Sequence, residues 1–453
     1  MMTTDATADT STDSTTDANA DSTPASSTSR SRHGSLPIGS TGIGPPEGAS
    51  TVGCAVVGGG IHGTHLAQRL LEDGPFDGSE LVLVDPHEKL LASFRRKAVA
   101  CGMESLRSTF VHHVGTEPFG LESFAEANDR EHELVPTVDY PDRPTLDLFL
   151  DYAASVIERK ELESLHRRAT VERIRDRPDA DGLRLRTSAG SVDADHCVLA
   201  IGHGDRYERP DWATGVEGVT HVWDEFDPDA SADRTIVVGG GITAVQLACE
   251  LSETEPVVLV SRHPIEYEVS EADPPWINWS HIERTLHAEP PGSRERFETV
   301  ADARHTATVP PYLYGELEER IDEGRVTLTQ GNVESAAIED ESVRLTLDHG
   351  LHLLGDRVVL ATGFEPAFDN PFVDRIADEL ELERGYRGMP VLDDGTLAWR
   401  RAGGDAVPLY VTGALALGTV GPYAPNLPGA RRAADRIVAA VSNARATNEP
   451  PRG

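Results

Sequence analysis

Only four cysteines occur in 453 residues, Cys54, Cys101, Cys197 and Cys249, and no two lie closer than 47 positions. That spacing excludes a Cys-x-x-Cys redox pair, a zinc-ligand set and a disulfide framework. Lysine is as scarce, present only as Lys89, Lys97 and Lys160. No window approaches 18 consecutive apolar residues, so no membrane-spanning helix is expected. The first 50 residues contain neither the apolar run of a secretory signal nor a twin arginine, since Arg30 and Arg32 are separated. A soluble, cytoplasmic protein is the expectation. Positive charge is also in deficit: 41 Lys and Arg against 76 Asp and Glu leave a formal charge of −35. A nucleic-acid-coating role is excluded, because phosphate binding needs a clustered positive surface.

What is abundant is acid, and it is spread along the chain. Residues 1–50 hold six acids and two arginines, so the charge belongs to the body that follows. High net charge keeps a protein soluble and salt screens its self-repulsion, which reads as a halophilic surface. Binding of a basic partner is the other reading, and would favour local blocks of acid. Residues 1–50 are Ser, Thr, Asp, Ala, Gly and Pro with almost no large apolar side chain, and are expected to be a disordered acidic tail. Beyond them, 38% hydrophobic residues together with 41 glycines are ordinary for a globular chain of two or three domains.

At Val52 the pattern changes. Cys54-Ala55-Val56-Val57 is an apolar strand, Gly58-Gly59-Gly60-Ile61-His62-Gly63 a glycine loop, and Leu66, Ala67, Leu70 and Leu71 follow at helical spacing. Gly58 makes the tight turn, Gly60 lets the backbone approach a pyrophosphate, Gly63 lets helix pack on strand, and the helix N-terminus offers free N–H groups. A second strand, Leu81–Val84, ends at Asp85, where an acid accepts hydrogen bonds from an adenosine ribose. His62 and His65 have metal-like spacing but sit in this phosphate loop without further ligands, and no metal site is expected.

The unit recurs. Thr235-Ile236-Val237-Val238 leads into Gly239-Gly240-Gly241-Ile242-Thr243-Ala244, then a helix with Val245, Leu247, Ala248 and Leu251. Its second strand, Val257–Val260, ends in Ser261-Arg262-His263. Loss of the acid and gain of Arg262 suits a ribose 2′-phosphate, so NADPH is expected over NADH; a plain solvated arginine is the alternative. Two different dinucleotide sites in one chain suggest a flavoprotein with a held FAD and a transient NADPH. Two more apolar strands end in small-residue turns suited to close cofactor approach, at Ala200-Ile201-Gly202 and Ala361-Thr362-Gly363-Phe364.

With the Leu360-Ala361-Thr362-Gly363-Phe364 turn, the chain from about 51 to 441 resembles the flavoproteins with two dinucleotide-binding domains, and among them the lysine and ornithine N-hydroxylases. The resemblance implies an α/β fold of two Rossmann-like domains, the NADPH domain (206–365, with an irregular insert 264–315) inserted into an FAD domain formed by 51–205 and 366–446. It implies flavin contacts at Gly413, Ala414, Leu427 and Ala430, where a helix N-terminus would stabilise reduced flavin. The stretch from Cys101 to His113 corresponds to a polar region beside the flavin, making Arg107, His112 and His113 the candidate catalytic residues, although the glutamine-containing pattern of those enzymes is absent. Trp276 and Trp279 of the insert are read as lining a substrate pocket or pinning a loop. Arg107, Arg262 and Arg431 are candidate contacts for anionic cofactors.

The implied chemistry is hydroxylation of a small nucleophilic amine by dioxygen through a flavin C(4a)-hydroperoxide held in a dry pocket. An NAD(P)H:acceptor oxidoreductase and a non-catalytic redox-sensing flavoprotein remain open alternatives, as does the oligomeric state.

Overall fold

The computed structural model describes residues 50–448 except 138, 139, 179, 225 and 229; the tail expected over 1–50 lies, up to residue 49, outside the described residues. The chain enters through β1 (Ser50–Val57), α1 (Ile61–Glu72), β2 (Leu81–Asp85), α2 (Ala92–Ala100), β3 (His166–Arg168) and β4 (Gly190–Leu199). It crosses into β5 (Val219–His221), β6 (Thr235–Val238), α3 (Ile242–Leu251) and β7 (Val257–Ser261). The helices α4 (Trp279–Thr285), α5 (Arg294–Ala303) and α6 (Pro311–Asp322) precede β8 (Val326–Gln330) and β9 (Arg357–Leu360). The chain then returns through β10 (Ala398–Arg400), β11 (Ala406–Val411) and α7 (Leu427–Asn448).

The first sheet runs β10-β11-β4-β1-β2-β3 and the second β8-β7-β6-β9-β5. In each, the strand before the glycine loop is central and pairs in parallel on both sides, β1 with β2 and β4, β6 with β7 and β9. Strands covered on both faces need continuous apolar side chains, and Cys54–Val57 and Ile236–Val238 are buried without alternation. Each glycine loop thus leaves the carboxyl end of a central strand where the connections diverge to either side, the position at which open α/β sheets bind ligands.

Residues 264–315 are not irregular. They fold into α4, α5 and a two-stranded parallel pair, Glu266–Tyr267 with Thr308–Val309, before α6 begins. Nor does this segment pack on the second sheet alone. The Arg296 guanidinium is buried and bidentate to Asp394, with further bonds to the Glu289 and Gly418 carbonyls. Arg436 of α7 lies over the Trp279 ring at 3.9 Å, and Trp276 packs against Gly421. The tryptophans therefore pin the segment to α7 and the turn at Gly421 and do not line the cavity at the two glycine loops: anchors on remote parts of the chain organise a stretch that has no local periodicity.

Candidate functional site

The two glycine loops open on one cavity of about 1810 Å³, larger than the roughly 300–1,000 Å³ of a pocket for a single small ligand. Both loops are built by the same device. Gly58 has φ +111°, and a Cβ there would lie 2.4 Å from the Ala200 carbonyl oxygen; a Cβ on Gly239 would lie 2.4 Å from the Ala361 carbonyl oxygen. Any side chain would drive the loop off its neighbouring strand. Gly63 is as constrained, its Cβ position 1.8 Å from the Gly58 carbonyl oxygen. Ala244 takes the equivalent place and is fully buried. Gly60, by contrast, has nothing within 4 Å of its Cβ position, and Gly241 only the Ala307 Cα at 3.8 Å. These two leave room where a pyrophosphate would approach.

Neither α1 nor α3 is capped by a side chain, and neither carries an acid in its first turn; α7 has no acid there either. In so acidic a chain, none of these three helices carries in its first turn an acid that would compete with a bound anion. Asp85 lines the cavity but holds its own loop: Oδ2 accepts from the Gly59 N–H at 2.7 Å, and Oδ1 from the His87 N–H at 2.8 Å. The corresponding end of β7 has no acid to do the same. There Ser261 donates to the His263 carbonyl, and Arg262 is exposed at the cavity with no hydrogen bond or ion pair among the described residues.

The remaining cofactor candidates divide into two groups. Ile61, His62, Gly202, Ile242, Thr362 and Gly363 reach the cavity wall. Gly413, Ala414, Leu427 and Ala430 are buried just behind it, and Pro425 and Asn426 form the wall in their place. His62 joins the two groups: Nδ1 is 2.8 Å from the Thr412 hydroxyl and Nε2 is 3.2 Å from the Pro425 carbonyl oxygen. Burial lowers its pKa to about 4, so the ring is neutral near pH 7.

The three catalytic candidates are placed otherwise than expected. Arg107 reaches the wall, but its guanidinium is committed to the carbonyls of Glu268, Val269, Ser270 and Thr308 and to the Thr308 hydroxyl. It is a clasp on the 264–315 segment rather than a free cation. His113 is fully buried against Tyr152, with Nδ1 accepting from the Gly115 N–H and Nε2 next to the Pro118 carbonyl. His112 stands in the same loop, behind α7 and away from the cavity, and Arg431 faces His113 there instead of a cofactor. Sequence spacing carries no sign of the Arg107 and Arg431 contacts, which join residues 161 to 318 positions apart.

Other groups reach the wall unforeseen. Phe364 is stacked between His203 (centroids 4.6 Å apart) and Trp223 (4.5 Å). The stack sits where the two crossing segments meet, held by the Glu208 N–H on the Gly363 carbonyl and by Lys97, whose amine reaches the Gly204 carbonyl. Arg304 of the segment after α5 faces the cavity next to Ala307, which adopts a left-handed φ of +59°. Arg304-His305 stands out in the sequence only as a charged pair.

A family model described as FAD-NAD(P)-binding matches residues 55–204. No curated protein sequence gives a match. Among solved structures, L-lysine 6-monooxygenase from Pseudomonas syringae is similar with a TM-score of 0.69 and 18% identity, over 87% of this chain and 99% of that one. The ornithine N-hydroxylase of Kutzneria sp. 744, a structure with reduced FAD, NADP+ and L-ornithine, gives 0.67 and 18%, over 87% and 100%. A bacillithiol disulfide reductase from Bacillus cereus gives 0.58 and 16%, over 87% and 100%. The fold is thus that of the two-domain flavoproteins, α/β with a pair of Rossmann-like sheets.

Proposed function

We propose that the chain is an FAD-dependent, NADPH-using monooxygenase that hydroxylates a small nucleophilic amine. The observation that carries the reading is one cavity faced by two open glycine loops with helix first turns free of acid, of which the second has Arg262, an arginine with no partner among the described residues. The cradle at Gly60 has room for a pyrophosphate, and the first loop, with Asp85 and the wall at His62 and Asn426, suits FAD. The second, with Gly241 and Arg262, suits NADPH. In this division 51–205 with 366–446 forms the FAD domain and 206–365 the NADPH domain. The likeness to lysine and ornithine hydroxylases supports the amine as substrate.

When bound, FAD would supply the redox chemistry, taking hydride from NADPH and delivering electrons to dioxygen. The chain's own part is to bind and exclude. The glycine loops fix the two nucleotides, His62 offers a neutral imidazole at the wall, and the His203–Phe364–Trp223 stack gives the wall an apolar face where the crossing segments meet. The acidic body suits a cytoplasm rich in salt.

The test is direct: purify the protein in concentrated salt, record its flavin spectrum, and follow NADPH oxidation, dioxygen uptake and hydroxylated amine together. Protein without flavin sinks the reading entirely. Fast NADPH oxidation with an added electron acceptor, and no oxygen incorporated into any amine, moves it to an acceptor oxidoreductase.

A further inference from the structure

Among the described residues, eight buried side-chain polar atoms have no hydrogen-bond partner, and four of them gather on α1 and at the start of α7: His65 Nε2, Gln68 Oε1, Asn426 Oδ1 and Arg431 Nε. Orphaned buried polar atoms are rare in folded proteins and mark missing water or ligand. Their position is ordered. His62, His65, Gln68 and Glu72 follow one another at intervals of three, three and four, which puts them on one face of α1. The inner end, His62, is at the cavity wall. The outer end, Glu72, is partly exposed and paired with Lys160. Between them His65 and Gln68 are 1% and 3% exposed. The facing residues are polar as well: Arg431 and Asp435 of α7, the latter bonded to Arg69 at 2.9 Å, and the Val114 carbonyl and Thr116 hydroxyl of the adjoining loop. Beside the apolar residues that α1 and α7 give to the core, these groups form a polar seam along one face of α1.

The orphans themselves say what fills it. His65 Nδ1 lies 2.8 Å from the Val114 carbonyl, which can only accept, so Nδ1 carries the hydrogen and Nε2 is a lone pair. The Gln68 amide nitrogen donates to Thr116 and Glu72, and the Asn426 amide nitrogen to Glu271, leaving both oxygens as acceptors. Arg431 Nε is a donor. Three acceptors and one donor do not suit an anion, and the Arg431 charge repels a cation. Water, which donates and accepts, satisfies all four.

We infer that the seam between α1 and α7 holds a file of ordered waters that carries protons from solvent at Glu72 to the cavity at His62 and Asn426. The inference rests on the proposed reaction for its purpose. Amine, NADPH, dioxygen and one proton give hydroxylamine, NADP+ and water, so each turnover takes one proton from solvent. Burial holds His62 and His65 near pKa 4, with Arg431 adding to the effect at His65; the rings therefore stay neutral and hold the waters in line without trapping the proton that the waters carry.

Two experiments on the full-length protein test this. A high-resolution crystal structure should show water within hydrogen-bond distance of His65 Nε2 and Gln68 Oε1; a dry seam overturns the inference whether or not flavin is bound. In stopped-flow measurements, His65→Leu should slow the oxygen-consuming half-reaction about tenfold more than flavin reduction by NADPH, with a larger solvent isotope effect. His65→Asn, which keeps an acceptor, should recover most of the loss. Equal slowing of both half-reactions, or an unchanged isotope effect, overturns it. Failure of the wild type to consume dioxygen would count against the proposed function instead, while the water positions still decide the seam.

Discussion

Arg296 and Asp394, 98 positions apart, meet as a two-pronged ion pair at 2.6 and 2.8 Å, with the arginine wholly buried. The pair ties α5 to the turn before β10 and thereby holds the Arg304–Thr308 wall of the cavity in place. Removing one member of such a pair strands the other. Arg296→Met is expected to lower stability by about 3 kcal/mol, read as a fall in the denaturant midpoint. A change below the error of the method would show that the segment is held by its tryptophans alone.

The glycine loops separate folding from binding. Gly60→Ala adds a methyl group to open space and should leave the melting temperature of the flavin-free protein unchanged while reducing flavin content. Gly63→Ala forces a Cβ onto the Gly58 carbonyl and should destabilise the apoprotein itself. Thermal scans of both flavin-free variants, alongside their flavin-to-protein ratios, decide this; a Gly60→Ala protein that fills with flavin normally removes the pyrophosphate assignment.

Arg262 has no partner among the described residues, so its replacement costs little stability. Arg262→Ala should weaken NADPH by at least about tenfold, or 1.4 kcal/mol, and NADH by much less. Titration with each nucleotide reads the difference, and equal losses would identify Arg262 as an ordinary solvated residue.

Acid should unfold the protein earlier than its carboxylates alone would dictate. His62, His65 and His112 are held at about 4, and His113 at about 3, principally by burial, against about 6.5 in an unfolded chain. Between those values the unfolded state binds more protons, so the stabilisation is complete above about pH 6.5 and is lost as pH falls toward 4. Melting temperatures at constant high salt should decline across that window, and the decline should be shallower in His113→Phe. A flat profile from pH 7 to 5 contradicts the burial of these rings.

Both loops, their strands and the residues ending the second strands were legible because each is a local pattern in which period and glycine spacing agree. Asp85 and Ser261-Arg262 were legible for the same reason. What escaped was set by contacts between distant segments. Nothing near Arg107 announces that four carbonyls beyond residue 267 will take its hydrogens, and nothing near His113 places it beneath α7. The 264–315 stretch looked irregular because its order comes from Asp394, Gly421 and Arg436 rather than from its own repeat.

The acid-free first turns of α1, α3 and α7 offer short-range N–H contacts to an anion inside a strongly negative particle. Nucleotides approaching from a distance meet the repulsion of the whole body, whereas their final contacts are short-range and sheltered. Salt shortens the range of the repulsion to about 10 Å at 0.1 M and leaves the sheltered contacts largely intact. Capture of NADPH should therefore quicken as salt is added, the reverse of an enzyme that draws its anionic substrate by a positive surface.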